Sequence, residues 1–351
     1  MKRLLIALTV LGLSTSAFAD STVLVPSQKG GLKVGIDALY LRPGNSALDY
    51  ATNISSPTRF SQGFEQNGVV DPTYDWGFYA QVGYLFPCTG NDLTLGYTYL
   101  NANASDVSEL GRASRNLSVL PFDQLLNDED FDTGNNIVTS NASFDLNAVD
   151  LEGGQRFTTG AFDIRMFAGV RYARIAQKLT TDIPDGLGFG DDFEATYYAS
   201  QSFSSTFRGI GPRIGADGRY CLSSGFGLDA HLGASLLVGN ISSNYIDQFI
   251  LVSAIGKDGI PISDSAFEAK NNNTNRLVPN IDAKLGVDYT YAIPGCHKSA
   301  IVFEAGYQTT NYFNASDKST VVDPSGTSFA YQNRTNDVSF DGIYFGVKYY
   351  A

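Results

Sequence analysis

The rhythm of this chain's connections constrains its fold more than any single motif. Ten segments alternate apolar and polar residues, the period of a β-strand with two unlike faces. They lie near 32–41, 75–86, 91–101, 144–157, 160–176, 206–220, 225–240, 277–291, 300–313 and 338–350. In the clearest, GFGLDAHLGASLLVGN, Phe226, Leu228, Ala230, Leu232, Ala234, Leu236 and Val238 oppose Gly227, Asp229, His231, Gly233, Ser235 and Gly239. Short and long connections then alternate throughout. PCTGN, TTG, CLSSG and IPGCHKS are short; the others run about 42–74, 102–143, 177–205, 241–276 and 314–337. A soluble sandwich has no reason for this rhythm. An outer-membrane barrel does, with short periplasmic turns, long extracellular loops and an even strand count. The expected fold is all-β: a transmembrane antiparallel β-barrel of about ten strands (8–12).

Three places disturb the pattern. FDLNAVDLEGGQRF changes parity between Leu146 and Val149, which predicts a bulge or a later strand start. Pro212 cannot donate to a ladder and weakens the sixth strand. YIDQFILVSAIG, inside the connection 241–276, could hide an extra strand.

Aromatic residues give an independent check, because membrane interfaces gather Tyr and Trp into belts. Tyr84, Phe86, Phe162, Tyr220, Phe226, Tyr289, Tyr291 and Tyr349 fall near the short turns. Tyr40, Trp76, Phe78, Tyr97, Tyr99, Tyr172 and Phe313 fall toward the long connections. The last strand, DGIYFGVKYYA, has Ile343, Phe345, Val347 and Tyr349 on one face, like the closing strand of an outer-membrane barrel, although it ends on Ala351 and not on an aromatic.

The first residues read as a secretory leader: Lys2 and Arg3, an apolar run Leu4–Leu13, then Ala17 and Ala19 at a cleavage site. The expected division is a signal peptide over 1–19 and one barrel domain over 20–351. The formal net charge of -12, about -14 once Lys2 and Arg3 leave with the leader, argues against a nucleic-acid partner.

GLKVGIDALYLRPG, DWGFYAQVGYLF, FAGVRYARI and FRGIGPRIGADGRY resemble the Legionella-type major outer membrane protein family of pore-forming proteins. The resemblance covers most of the chain. It implies a porin-like, surface-exposed protein of a Gram-negative outer membrane, and it links the family with disulfide cross-linking in the envelope.

Cys88, Cys221 and Cys296 each fall in an expected periplasmic turn, in an oxidising compartment. An odd count leaves one for an intermolecular partner or free. A bridge between Cys221 and Cys296 would need turns two strands apart, roughly 10 Å, to bend together. Cross-linking of neighbouring barrels through Cys88 or another of the three, giving a disulfide-linked homo-oligomer, stands against three idle thiols.

Little else suggests chemistry. With two histidines, His231 and His297, and no close C-x-x-C spacing, a metal site is not expected. No cofactor is expected either. An outer-membrane hydrolase needs a histidine beside carboxylates or a serine near the rim, and neither histidine is so placed. Asp128–Asp130, Asp191 with Asp192, and Asn271–Asn275 read as solvated loop residues.

The inward face is the informative one. Arg165, Arg171, Arg213, Arg219, Asp229, His231, Asp282, Lys284, Asp288 and Glu304 are the expected pore-lining residues, with Asp150, Glu152, Asp163, Asp217 and Lys348 also pointing inward. Charges at membrane depth must face water or one another. Either they line a selective constriction for small hydrophilic solutes or ions, or they pair into a plug. The function read from these residues and the resemblance is a pore in contact with outer-membrane lipid. A non-conducting structural or adhesive barrel, touching host surfaces through its loops, is the alternative, and the hydrolase is the weaker one.

Overall fold

A computed structural model describes residues 30–45, 48–54, 65–110, 117–118, 132–133, 136–190, 193–253, 261–293, 299–322 and 330–351. Ten strands build the wall: β1 Gly31–Asn45, β2 Asp75–Leu85, β3 Asn91–Leu110, β4 Asn136–Thr159, β5 Phe162–Gly190, β6 Phe193–Ser223, β7 Phe226–Ser253, β8 Pro261–Ala292, β9 Ala300–Val322 and β10 Ala330–Tyr350. All neighbours pair antiparallel, and β1 closes the ring on β10, with Gly35 opposite Lys348 and Leu41 opposite Gly342. Closure leaves no strand edge to be solvated in hydrocarbon. The described residues contain no helix. Three short segments, Asp49–Ile54, Glu65–Val69 and Leu117–Ser118, form a separate small sheet, and Asp132–Thr133 pairs with β5. The expected leader, Asp128–Asp130, Asp191, Asp192, Cys296 and His297 lie outside the described residues.

The expected loops need correction. β5 to β8 are 29, 31, 28 and 32 residues long, so most of 177–205 and 241–276 is ladder. Tyr245–Ile250 extends β7 against Asp264–Ala269 of β8 instead of forming an extra strand, and Asn271–Asn275 belongs to β8. The physical reason is simple. Once a strand leaves the lipid its outer face becomes polar, so the two-residue alternation fades while backbone pairing continues.

The parity change in β4 also has another origin. β4 pairs without interruption with β3 from Asn136 to Gln155, and with β5 from Thr139 to Thr159. No bulge occurs. Phe144, Leu146 and Ala148 are buried on the inward face, while Val149 and Leu151 are exposed on the outward one. The inside of the barrel itself changes from apolar to charged along the strand. Pro212 keeps its place opposite Val170 of β5, and only the β7 side of the ladder skips Gly211 and Pro212.

The outer face matches a bilayer. On β5, Phe162, Ile164, Met166, Val170 and Tyr172 are exposed, and on β7 Phe226, Leu228, Leu232, Leu236 and Val238. Aromatic pairs mark both rims: Phe162–Tyr220 at 4.7 Å and Phe226–Tyr289 at 4.8 Å near the turns, Tyr40–Trp76 at 4.9 Å and Phe78–Tyr99 at 5.7 Å at the other end.

Candidate functional site

Among the described residues, a dense set of charged side chains lies inside the barrel, where inward residues stack in layers. All ten of the expected inward residues, Arg165 to Glu304, line one cavity of about 200 Å³ in the periplasmic half. Its walls carry eight cationic and nine carboxylate side chains. Residues not among the expected pore-lining ones join them: Lys33, Asp37, Arg156, Tyr79 and Tyr344, with Asp92 buried behind Arg165. Lys33 and Asp37 could have been found, since they alternate with Leu32, Val34 and Ile36 on β1. Parity also places the tyrosines inward, Tyr79 beside the outward Phe78 and Tyr344 between the outward Ile343 and Phe345.

The charges are organised as a network across strands. Arg165 on β5 reaches Asp92 of β3 (2.7 Å), Glu152 of β4 (3.2 Å) and Asp217 of β6 (2.9 Å). Arg171 holds Asp150 with two nitrogens, Nε at 2.6 Å and Nη2 at 2.7 Å, and reaches Asp282 at 2.8 Å. Arg213 of β6 contacts Glu152 at 2.9 Å and Asp282 at 2.6 Å. His231 sits within this web, Nδ1 2.5 Å from Asp217 Oδ1 and Nε2 2.8 Å from Asp282 Oδ2, with its ring stacked on Phe167. Arg219 pairs with Asp288 nearer the turns, and Lys348 with Glu304 at 2.5 Å. Multiple hydrogen bonds per ion offset the cost of taking these charges from water.

Glycines on the same face leave room for the network. A β-carbon on Gly154 would lie 2.5 Å from Arg165 Nε, and one on Gly346 2.5 Å from Asp37 Oδ1. Not every acceptor is satisfied. Asp37 Oδ1, Asp229 Oδ1 and Gln308 Oε1 are buried without a hydrogen-bond partner. Lys284 pairs with the other Asp37 oxygen at 3.1 Å and lies over the rings of Tyr79 and Tyr344.

Beyond the charged layer, toward the far end, the interior turns apolar. Leu39, Leu100, Phe144, Phe207, Leu237, Val278 and Phe340 come from seven strands, are at most 1% exposed and belong to one packed cluster. Above it β9 bends. Its register with β10 slips between Tyr312 and Ser316, Asn314 takes a positive φ of 57°, and Ala315, Ser316 and Asp317 are buried. Ser316 donates to Gln177 of β5 at 3.0 Å, and the Asp317 amide donates to Ser205 of β6 at 3.1 Å, so the bulge reaches across the interior. β8 stops pairing with β9 at Asn280. Past that point Arg276 of β8 ion-pairs with Asp317 of β9.

Among the cysteines, Cys88 lies exposed in the β2–β3 turn. Cys221 was expected in a turn but belongs to β6, opposite Gly227, with its amide bonded to Ala161 O at 2.8 Å. Both are unpaired, and there is no disulfide among the described residues. No group of three or more metal-ligating side chains occurs among them either.

A family model described as the Legionella pneumophila major outer membrane protein precursor matches residues 24–351. No curated protein sequence matches the chain. Among solved structures, the outer membrane protease OmpT from Escherichia coli is similar at 13% identity, over 96% of this chain and 100% of its own, with a TM-score of 0.39. A FadL homologue from Pseudomonas aeruginosa is similar at 8% identity, over 92% of this chain and 90% of its own, with a TM-score of 0.24. The toluene transporter TodX from P. putida gives 10% identity, 94% and 91% coverage, and a TM-score of 0.22. Such distant likenesses transfer no activity. The closed ten-stranded ring and the match over nearly the whole chain place this protein in the Legionella pneumophila major outer membrane protein family, as a β-barrel of the bacterial outer membrane.

Proposed function

We propose that this barrel is a pore for small hydrophilic solutes or ions, with a charged periplasmic vestibule and an apolar gate, and that it performs no covalent catalysis. One observation carries the reading: the cavity of about 200 Å³ is walled by charged groups, some of whose acceptor oxygens lack partners. A purely structural interior would fold as well or better with apolar residues, because replacing buried ion pairs by packed hydrophobic ones is often neutral or stabilising. Charged, incompletely satisfied walls suit a space that water and ions enter. On this reading the apolar layer around Phe207 and Leu237 is the gate, because hydrophobic constrictions close a path by expelling water.

That same layer favours a second reading, a non-conducting structural barrel. Planar-bilayer recording on refolded protein separates the two. Discrete channel openings support the pore; a silent membrane containing folded protein leaves the structural barrel. Catalysis would rest on His231 and Asp217, and hydrolytic activity lost on His231→Ala would replace both readings.

A further inference from the structure

On the outer wall the apolar band ends at one row of cross-strand neighbours: Val149 of β4, Tyr172 of β5, Ile210 of β6 and Val238 of β7. From Phe162 to Tyr172 the β5 backbone climbs ten residues. At about 3.3 Å per residue and a tilt of about 40° that is roughly 25 Å, the height of a bilayer-facing band. The next outward residues on β5 and β6 are both arginines. Arg174 and Arg208 stand directly opposite each other, and Lys178 lies two outward positions higher on the same face of β5, beyond Ala176 and opposite Ser204.

Like charges directly opposite on a sheet destabilise it, so this pairing needs a counter-charge. Asp145 supplies one to Arg174, at 2.7 Å. Neither Lys178 nor Arg208 has an ion-pair partner among the described residues, and both are exposed. Beside Lys178 lies an outward groove of about 380 Å³ lined by Asn103, Ser105, Asn141, Ser143 and Thr180. The other side of the barrel is different at this height: β10 presents Asp337 and Asp341 outward.

We propose that Arg174, Lys178 and Arg208, with the polar groove beside them, bind the phosphorylated sugar headgroup of an outer-leaflet glycolipid. Several observations converge on that ligand. The cations sit where the headgroups of the outer leaflet begin, a phosphate between Arg174 and Arg208 relieves their repulsion by charge-assisted hydrogen bonds, and the hydroxyls and amides of the groove suit sugar oxygens. The site is on the lipid-facing wall, so the inference is independent of whether the barrel conducts.

The test is refolding into phosphatidylcholine vesicles doped with bis-phosphorylated lipid A, reading thermal stability from the fluorescence of Trp76, the chain's single tryptophan. The expected result is stabilisation by bis-phosphorylated lipid A alone. Arg208→Gln should weaken the apparent affinity about tenfold, as loss of one charge-assisted contact implies. Arg334→Gln, an exposed arginine on β10, should leave it unchanged. Equal effects of the two substitutions would overturn the proposal. So would equal stabilisation by dephosphorylated lipid A, by phosphatidylglycerol or by free pyrophosphate.

Discussion

Arg213 on β6 and Asp282 on β8 clasp each other across the intervening β7 through two hydrogen bonds, Nη1–Oδ1 at 2.6 Å and Nη2–Oδ2 at 2.8 Å. Asp282 also receives Arg171 at 2.8 Å and His231 at 2.8 Å, so one carboxylate collects three partners from β5, β6 and β7. Asp282→Asn leaves those groups short of a counter-charge in a buried setting, the costly way to break a buried pair. The expected loss is about 3 kcal/mol or more of unfolding free energy, read from Trp76 fluorescence in urea. Asp145→Asn touches an ion pair with both side chains about one-third exposed (34% and 30%) and should cost under about 1 kcal/mol.

The clasp also depends on an absence. Gly233 of β7 lies under it, and a β-carbon there would come within 2.6 Å of Asp282 Oδ2 and 2.8 Å of Arg213 Nη2. Gly233→Val should therefore part the pair and destabilise the barrel by about 1–3 kcal/mol, the range for overpacking. Adding Asp282→Ala makes space and should recover part of that loss relative to the sum of the single effects. Simple additivity in the double-mutant cycle would show that Gly233 and Asp282 do not interact.

The wall of this barrel was legible in the sequence and its interior only partly so. Lipid forces a strict apolar face on segments such as Phe226–Val238, and that face sets their parity and hence which charges point inward. The inward face obeys no such rule. Phe144 and Leu146 point in as surely as Asp150 and Glu152 do, and the change from Leu146 to Val149 mimics a bulge because both faces of β4 carry apolar residues there. For the same reason the apolar layer could not be foreseen: Leu237 lies beside Leu236 in sequence but on the opposite side of the wall. The inward bulge at Asn314 arises from long-range contacts to Gln177 and Ser205 that no local pattern encodes.

The thiols differ in access. Cys88 is exposed in a turn, whereas Cys221 is half-buried in a paired strand. Disulfide exchange needs an approachable thiolate, so Cys88 is the one expected to cross-link neighbouring barrels. Envelope extracts alkylated before non-reducing electrophoresis should show a dimer band that reductant removes and Cys88→Ser abolishes. A dimer that persists in Cys88→Ser would shift the role to another cysteine, and monomer throughout would end the cross-linking idea.

Selectivity should follow the incompletely paired groups. Arg213 is locked by Glu152 and Asp282, with its side chain 2% exposed, so Arg213→Glu would act mainly on folding. Asp229 offers the vestibule an unpartnered Oδ1 while its Oδ2 accepts from Tyr344 at 2.8 Å. Asp229→Asn keeps the shape and removes a negative charge from the wall. In a salt gradient the reversal potential of the open channel should move toward lower cation preference by several millivolts on the order of a single-charge change. An unmoved potential would take Asp229 off the ion path.

The gate makes the sharpest demand on the pore reading. Phe207 and Leu237 both belong to the apolar layer, and the β9 bulge above it is held by the Arg276–Asp317 ion pair and by Ser316 on Gln177. Water enters an apolar constriction readily once it is widened or made polar. Leu237→Ser should then raise open probability or conductance severalfold, and Asp317→Ala, which frees Arg276 and the bulge, should do so to a smaller degree. Leu237→Ser also leaves a cavity that costs about 2–5 kcal/mol, so the folded fraction must be matched before currents are compared. Two outcomes are informative. A larger current in both variants assigns the apolar layer and the bulge to one gate. If folded Leu237→Ser passes no more current than the parent while the parent conducts, solutes take a route that avoids this layer, and the gate is misplaced.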